Sequence, residues 1–461
     1  MTNNKSLITI YITNYNYESF IEQSIESVLT QTCQDFELFI IDDGSTDNSK
    51  EIIERYRNHE KVTIIYQQNK GLNITNNLAM RVSNGKYLMR LDADDFLEPE
   101  ALEKMSAILE SDSELGLVFP DYYYIDAAGN RTGQEERHNF DKEVSLYDQP
   151  AHGACTMIRL EFLKELGGYN ESFTCQDGYD LWIKFITHHK VTNINEPLFS
   201  YRRHGKNLTG NELRILTTRQ KIKDTFVRQH FKTPNTLVVI PVRATLIDGI
   251  NWVIQESNGV SVLAQKIEIC IQSTKVNQVV VTSSDSEILE YCNNRFSNNE
   301  KVIALERPHQ FEEPNQSLAL TIDFVKAYVE KESKWVEAIM TTSLEFPFTK
   351  TETIDEAINS LVLFKADSVI SVRPDNSLYY KHTGGGMVPI LDQDKFTKLE
   401  REALYKAAGG IMLTTLEQFE KSRKSISGTV AHVVVDAQTA FCIQNSFDYS
   451  TYKFLVHETV K

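Results

Sequence analysis

The chain predicts an α/β protein built from two mostly parallel-sheet domains. Three observations predict it. At 461 residues the chain is too long for one ordinary core. Short apolar strand patterns alternate with helical patterns along most of its length, the arrangement of parallel sheets with right-handed crossovers. Two of the first four strands end in acids, Asp42/Asp43 and Asp92/Asp94, at the edge where open α/β sheets take ligands.

Composition narrows the function classes. A hydrophobic content of 41% with 24% charged residues fits a soluble globular protein. No apolar run approaches the length that spans a bilayer, and the N-terminus passes into a strand without a signal-peptide pattern. The six cysteines (Cys33, Cys155, Cys175, Cys270, Cys292, Cys442) are scattered, as expected for reduced thiols in a cytoplasmic protein. A formal net charge of -16 argues against nucleic acid as a partner. It leaves room for a phosphorylated small substrate screened by a metal ion.

The first half reads in order. Leu7 to Thr13 is a strand leading into Asn14-Tyr15-Asn16-Tyr17, and a helix over about 20–29 puts Ile21, Ile25 and Val28 on one face. The strand from Phe36 to Ile41 runs into Asp42-Asp43-Gly44-Ser45-Thr46-Asp47. Gly44 permits a tight turn there, and Ser45 or Asp47 can cap the helix that follows. Val62 to Tyr66 is a third strand, and Asn69-Lys70-Gly71 opens another helix. Tyr87, Leu88 and Leu91 mark a buried strand that ends in Asp92, Asp94 and Asp95. Asp92 and Asp94 lie two apart, so both lean toward one point if the strand is still extended. Such a pair suits magnesium or manganese bridged to a phosphate. The plainer alternative is an acidic turn, with Asp94 or Asp95 capping the next helix. Two acidic strand ends on one parallel sheet repel unless a cation or a donor-rich ligand lies between them.

Residues 6 to about 205 resemble a family-2 glycosyltransferase of the GT-A fold. The matching segments are Thr13-Asn-Tyr-Asn16, Ser27-Val-Leu-Thr-Gln31, Ile41-Asp-Asp-Gly-Ser-Thr-Asp47, Asn69-Lys-Gly71 and Leu91-Asp-Ala-Asp-Asp95. The resemblance implies an inverting transferase that uses a nucleotide-diphosphate sugar, a UDP-sugar foremost, and a divalent metal. It implies a nucleotide-sugar site including Thr13, Tyr15, Asp42, Asp43, Asn69, Gly71 and Asp92, and a metal on Asp94. Tyr15 and Asp42 or Asp43 would face base and ribose, and Asp92 ribose or sugar. One departure is visible: the family often has Ala-Arg-Asn where this chain has Thr75-Asn76-Asn77.

The acceptor side follows. Leu117 to Tyr124 is a strand carrying three tyrosines, suited to packing or to stacking on sugar rings, and Glu135-Glu136-Arg137-His138 reads as a loop. Cys175-Gln-Asp177-Gly-Tyr-Asp180-Leu-Trp182 resembles the family's Glu-Asp motif followed by Asp-Leu-Trp, with Gln176 in place of the Glu. By that position Asp177 would be the catalytic base that deprotonates the acceptor hydroxyl. The alternative is a helix cap, with Asp180 structural in the first turn. Arg202-Arg203-His204-Gly205-Lys206 resembles the family's Arg-x-His loop over the diphosphate. Arg202 and Arg203 would pair with phosphate, and His204 with metal or phosphate, a solvated basic loop being the alternative.

A helix over about 213–231 precedes Pro234, so the domain boundary is expected near 233, giving domains of 1–232 and 233–461. The second half resembles an acylneuraminate cytidylyltransferase through Ile240-Pro-Val-Arg243, Asn258-Gly259, Thr282-Ser-Ser-Asp285, Glu306-Arg-Pro308, Thr341-Thr-Ser343, Ile354-Asp-Glu-Ala-Ile358, Asp367-Ser-Val-Ile-Ser-Val372, Ala408-Gly-Gly410 and Val433-Val-Val-Asp436. The two resemblances together imply two Rossmann-like domains, a GT-A glycosyltransferase fold followed by a nucleotidyltransferase-like fold. Several substitutions mark the C-terminal domain as degenerate. Ala244 and Thr245 replace glycines of the phosphate loop, Asp248 adds a negative charge, Val434 replaces one of the metal acids, and Thr349 stands where an Arg is usual. Gly384-Gly385-Gly386 lacks a following helix and reads as a flexible loop.

The expected protein is therefore a metal-dependent glycosyltransferase, either free in the cytoplasm or peripheral at the inner membrane face. Its acceptor would be a glycan, a lipid-linked sugar or a protein, and its inactive C-terminal domain would favour homo-oligomers. One alternative is a bifunctional enzyme that also makes a CMP-activated sugar acid. Another is a scaffold that only binds.

Overall fold

The computed structural model describes residues 6–137, 153–204, 211–244, 246–247, 249–312, 316–332, 335–375, 377–390 and 404–458. His138, Ala151, His152, Gly205, Lys206, Thr245 and Asp248 lie outside the described residues. The chain forms two compact units that divide between Ile222 and Lys223.

The first unit alternates as its sequence dictates: β1 (Ile8–Asn14), α1 (Ile21–Leu29), β2 (Phe36–Asp42), α2 (Ser49–Glu54), β3 (Val62–Tyr66), α3 (Leu72–Val82) and β4 (Tyr87–Asp92). There follow β5 (Phe96–Leu97), α4 (Ala101–Ser111), β6 (Leu115–Ile125), β7 (Arg131–Glu135), β8 (Met157–Arg159), α5 (Leu160–Glu165), α6 (Asp177–His188) and β9 (Lys190–Arg202). The last helix of this stretch, α7 (Glu212–His230), contains the division between the units. Among the described residues the strands make one sheet in the order β3-β2-β1-β4-β8-β6-β9-β5, with β7 beside β6. β3, β2, β1 and β4 are mutually parallel, so their carboxyl ends share an edge. The segment read as a loop at Glu135 is instead the end of β7, paired with Tyr122. Its polar sequence hid it, because one face of an edge strand stays wet.

Side-chain alternation in β4 explains how the site is placed. Tyr87, Met89 and Leu91 enter the core under α1 and α4, while Leu88 enters the opposite core with Tyr11, Trp182 and Phe185. Arg90 and Asp92 continue the Leu88 face toward the carboxyl edge. Burying a side chain the size of Trp182 or Leu88 contributes about 1.5–3 kcal/mol, enough for both faces to hold the strand in register.

The second unit contains β10 (Thr236–Pro241), β11 (Leu246–Ile247), β12 (Ile250–Asn251), α8 (Val262–Gln272), β13 (Val276–Ser283), α9 (Ser286–Phe296), β14 (Val302–Glu306) and α10 (Leu318–Lys331). It continues with β15 (Ala338–Thr342), α11 (Thr351–Leu363), β16 (Ser368–Asp375), β17 (Tyr380–His382), β18 (Met387–Pro389), β19 (Leu404–Thr415), α12 (Leu416–Ser422), β20 (Val430–Val434) and α13 (Ser446–Glu458). Its main sheet runs β14-β13-β10-β15-β19-β16-β20, parallel except around β19. Side-chain caps start its helices where the sequence supplies them, as when Ser261 and Asp285 accept from the first-turn amides of α8 and α9. The Gly384–Gly386 run joins β17 to β18 in a hairpin.

Candidate active site

The carboxyl edge of β1, β2 and β4 gathers the predicted residues, and its acids fall into two kinds. The first kind is occupied by the protein itself. Asp42 accepts from Asn14 Nδ2 at 2.7 Å and from the amides of Gly44 and Ser45 at 3.2 and 2.9 Å. Asp43 accepts from Gln67 Nε2 at 2.7 Å and from the amides of Lys70 and Gly71 at 2.9 and 3.0 Å. These two carboxylates shape the loops that carry Asn69, which is exposed, and Gly71, which opens α3 at φ +89°. A Cβ on Gly44 would lie 2.8 Å from the Asn69 amide nitrogen, so the turn requires glycine for space as well as for its φ of +85°. Asp47 accepts from the Ser49 amide at 3.0 Å, as an acid beside the start of α2 should. Tyr15 stands exposed at the end of β1, and Thr13 Oγ1 donates to Asp92 at 3.2 Å.

The second kind lies at the end of β4. Asp94 and Asp95 are buried, and neither caps α4, whose N-cap position is Glu100 without a side-chain bond. Burial first, and then the charge of Asp92, pushes the Asp94 carboxyl up, while its hydrogen bond to His204 pulls the other way. Burial and the charges of Asp94 and Asp92 push Asp95 well above the usual carboxylate range. Burial and then the same three acids raise the Tyr17 hydroxyl. His204 Nε2 lies 2.8 Å from Asp94 Oδ2, with its ring against Phe20 at 5.6 Å and Tyr17 at 5.7 Å between centroids. The expected metal ligands, Asp94 and His204, are thus brought together from residues far apart in the chain.

A divalent cation fits this donor set. One carboxylate oxygen and one imidazole nitrogen converge beside two further acids, Asp92 and Asp95, and the carboxylate is a donor type that suits magnesium or manganese. Among the described residues no group of three or more His, Cys, Asp or Glu could hold a metal ion. The remaining positions would therefore belong to water and substrate oxygens.

Arg202 is a correction. Its guanidinium, only 2% exposed, donates from Nε to the Asp94 carbonyl at 2.8 Å, from Nη1 to the Asp126 and Ala127 carbonyls, and from Nη2 to Gln23 Oε1 at 2.6 Å. Its own amide donates to Asp95 at 2.9 Å. Arg202 fastens the β4 and β9 ends together rather than facing a phosphate. Arg203 lies over the Tyr124 ring, with Cζ 3.8 Å from its centroid. The tyrosines of β6 serve packing: Tyr122 meets Phe199 and Tyr201 at 4.9 and 6.0 Å between centroids.

Asp177 begins α6 directly after Gln176, which adopts a left-handed φ of +62°. Its carboxylate forms an ion pair with Arg90 Nη1 rather than capping the helix, and Asn76 Nδ2 donates to it at 3.4 Å. Tyr11 OH in turn donates to Asn76 Oδ1 at 3.1 Å. Asp180 pairs with Lys184 at 2.7 Å and is structural. Sequence reasoning missed Arg90, Asn76, Tyr11 and Tyr17. The available signal was the i, i+2 spacing of Arg90 and Asp92 on one face of a strand.

In the second unit a cavity of about 870 Å³ opens at the carboxyl ends of β10 and β15, where the strand order reverses. Arg243, Arg307, Thr341 and Thr342 line it, and the buried hydroxyls of both threonines have no hydrogen-bond partner. Asp436 is paired with Lys350 Nζ at 2.7 Å and accepts from the Thr439 amide.

Strand order, the acidic edge and the mixed sheet define the first unit as a GT-A-like glycosyltransferase fold. Residues 9–167 match the family model described as glycosyl transferase family 2. The chain is 33% identical over 208 residues to an uncharacterized glycosyltransferase of Methanocaldococcus jannaschii, covering 43% of this chain and 71% of that one. The chain belongs to glycosyl transferase family 2. It is also 33% identical to an Escherichia coli chondroitin synthase over 50% of this chain and 32% of that one. A hyaluronan synthase of Pasteurella multocida is 30% identical over 46% of this chain and 22% of its own length. The chain thus spans about a third or less of the length of these two synthases. Among the described residues no helix is long and apolar enough to cross a membrane.

Proposed function

We propose that the first unit transfers a sugar, with inversion, from a nucleotide-diphosphate sugar, a UDP-sugar foremost, to a glycan, lipid-linked or protein acceptor. The observation that carries this reading is the pairing of His204 with Asp94 at 2.8 Å, beside Asp92, whose charge raises the Asp94 carboxyl. Likeness to synthases of chondroitin and hyaluronan favours a growing polysaccharide as the acceptor. A magnesium or manganese ion on Asp94 and His204 would supply neutralising charge for the diphosphate. Tyr15 offers an exposed ring to the base, and Asp92 accepts from ribose or sugar hydroxyls. Asp42 and Asp43 act through the loops they hold and through their remaining lone pairs. Arg203, whose guanidinium lies over the Tyr124 ring, would pair with phosphate oxygens of the donor. Asp177 takes the proton of the acceptor hydroxyl as its oxygen bonds to the anomeric carbon and the bond to the diphosphate breaks.

For the second unit we propose a nucleotidyltransferase-like fold that no longer makes a CMP-sugar. Lys350 Nζ, not a cation site, faces Asp436, and Val434 cannot ligate. Its roles would be assembly into homo-oligomers or positioning of the transferase.

The test is incubation of the full chain with a panel of UDP-sugars, manganese or magnesium, and oligosaccharide acceptors, reading nucleoside diphosphate release. Acceptor-dependent release that fails in His204→Ala supports the reading. Equal release from the variant would refute it.

A further inference from the structure

We propose that Arg90 is a positioning residue that sets the spacing between the donor-side carboxylate, Asp92, and the acceptor-side carboxylate, Asp177. This rests on the proposed role of Asp177 as base. Arg90 is buried in β4, opposite Tyr11 of β1, with Asp92 two residues on and on the same face. Its Nε is 2.9 Å from Asp92 Oδ1, a close ion pair whose N–H is not aimed at the oxygen, and Nη2 donates to Asp92 Oδ2 at 3.5 Å. Nη1 reaches Asp177. One rigid plane therefore touches both acids.

The surroundings leave this plane little freedom. The Arg90 side chain is 5% exposed. Asp177 is held from its other side by Asn76, which Tyr11 orients. The side chain before Asp177 is held as well, because Arg219 Nε donates to Gln176 Oε1 at 2.7 Å. Gly153 closes the arrangement: a Cβ there would lie 2.6 Å from Arg90 Nη2 and 3.3 Å from Asp177 Oδ2. An in-line displacement needs the acceptor oxygen opposite the leaving diphosphate, and a misplacement of about 1 Å can cost a hundredfold. A guanidinium bridge supplies such spacing because its donors form a fixed fork. A lysine keeps the charge but presents one point on a flexible stem.

The experiment is a double-mutant cycle on kcat, using the donor and acceptor pair returned by the UDP-sugar panel. Arg90→Lys is expected to lower kcat by about tenfold or more. In the Asp177→Asn background it should add less than about threefold, because Arg90 acts through Asp177. Gly153→Ala presses on Nη2 without changing any charge and should show the same dependence on background. It keeps the test open should Arg90→Lys fail to fold. Full, equal losses in both backgrounds, or parental kcat for both variants, would overturn the proposal. Parental transfer by Asp177→Asn would overturn the base assignment separately.

Discussion

The two units put the same kind of sheet edge to opposite use. In the first, the carboxyl ends of the strands concentrate negative charge: Asp94 and Asp95 are buried beside Asp92, and their carboxyls are pushed up. In the second, the acid just beyond the carboxyl end of β20 is matched: Lys350 meets Asp436 at 2.7 Å. The cavity there is lined by Arg243, Arg307 and unpartnered hydroxyls, with Glu345 as its acid. Unbalanced buried charge costs stability and persists where a ligand balances it. We therefore place the transferase chemistry in the first unit.

The largest effect that would break this contrast is at Asp177. Asp177→Asn keeps shape but cannot take the proton, so transfer should fall by about a hundredfold or more. Affinity for UDP, measured by calorimetry, should stay within a few-fold of the parent. Loss of UDP affinity instead would assign Asp177 to the nucleotide site. Next is Asp94→Ala, expected to cost about a hundredfold in turnover. The variant should melt no lower than the parent, because a buried carboxyl repelled by Asp92 is being removed. Normal turnover of the variant in the presence of EDTA would remove the metal from the account.

A smaller effect is expected at Gly44. Gly44→Ala forces a Cβ against the Asn69 amide at a φ of +85°, which should cost about 1–3 kcal/mol of stability by chemical denaturation. It should also weaken UDP binding, since the Gly44 turn packs directly against the Asn69 loop.

The smallest effect sharpens the contrast from the second unit. Burial lowers the Lys266 amine to about 7, and Nζ donates to the Phe346 carbonyl and Thr349 Oγ1 at 2.8 and 2.6 Å. The unfolded amine holds its proton up to about pH 10. Between these values the unfolded chain binds more protons, so this residue makes stability rise with pH, by at most about 1.4 kcal/mol per unit. Lys266→Met should flatten that rise when melting is followed from pH 7 to 9. An unchanged slope would show that Lys266 is not the titrating group.

Much of this was legible in the sequence, for local reasons. Alternation of Leu88, Arg90 and Asp92 against Tyr87, Met89 and Leu91 gives both the strand and the face of its final acid. The turn after Asp42 reads from Gly44 alone. Other features depended on partners far along the chain. Arg202 resembled a phosphate ligand because its true acceptors are carbonyls of Asp94, Asp126 and Ala127, and backbone groups carry no sequence signature. Arg90 was missed because its second partner, Asp177, lies 87 residues away. Asp436 stood out by resemblance, and only the structure shows Lys350 against it. Residue type and local period predict elements, while the pairing of a charge is a tertiary property.

The division of labour between the units is tested most directly by one assay on the full chain. The protein is given CTP, a panel of nonulosonic acids, UDP-sugars, oligosaccharide acceptors and manganese or magnesium, and both nucleoside diphosphate and pyrophosphate are measured. The account predicts nucleoside diphosphate that disappears in Asp94→Ala, with pyrophosphate at background. Pyrophosphate formed at a clear rate and abolished by Asp436→Asn would contradict it, since the second sheet edge would then be catalytic.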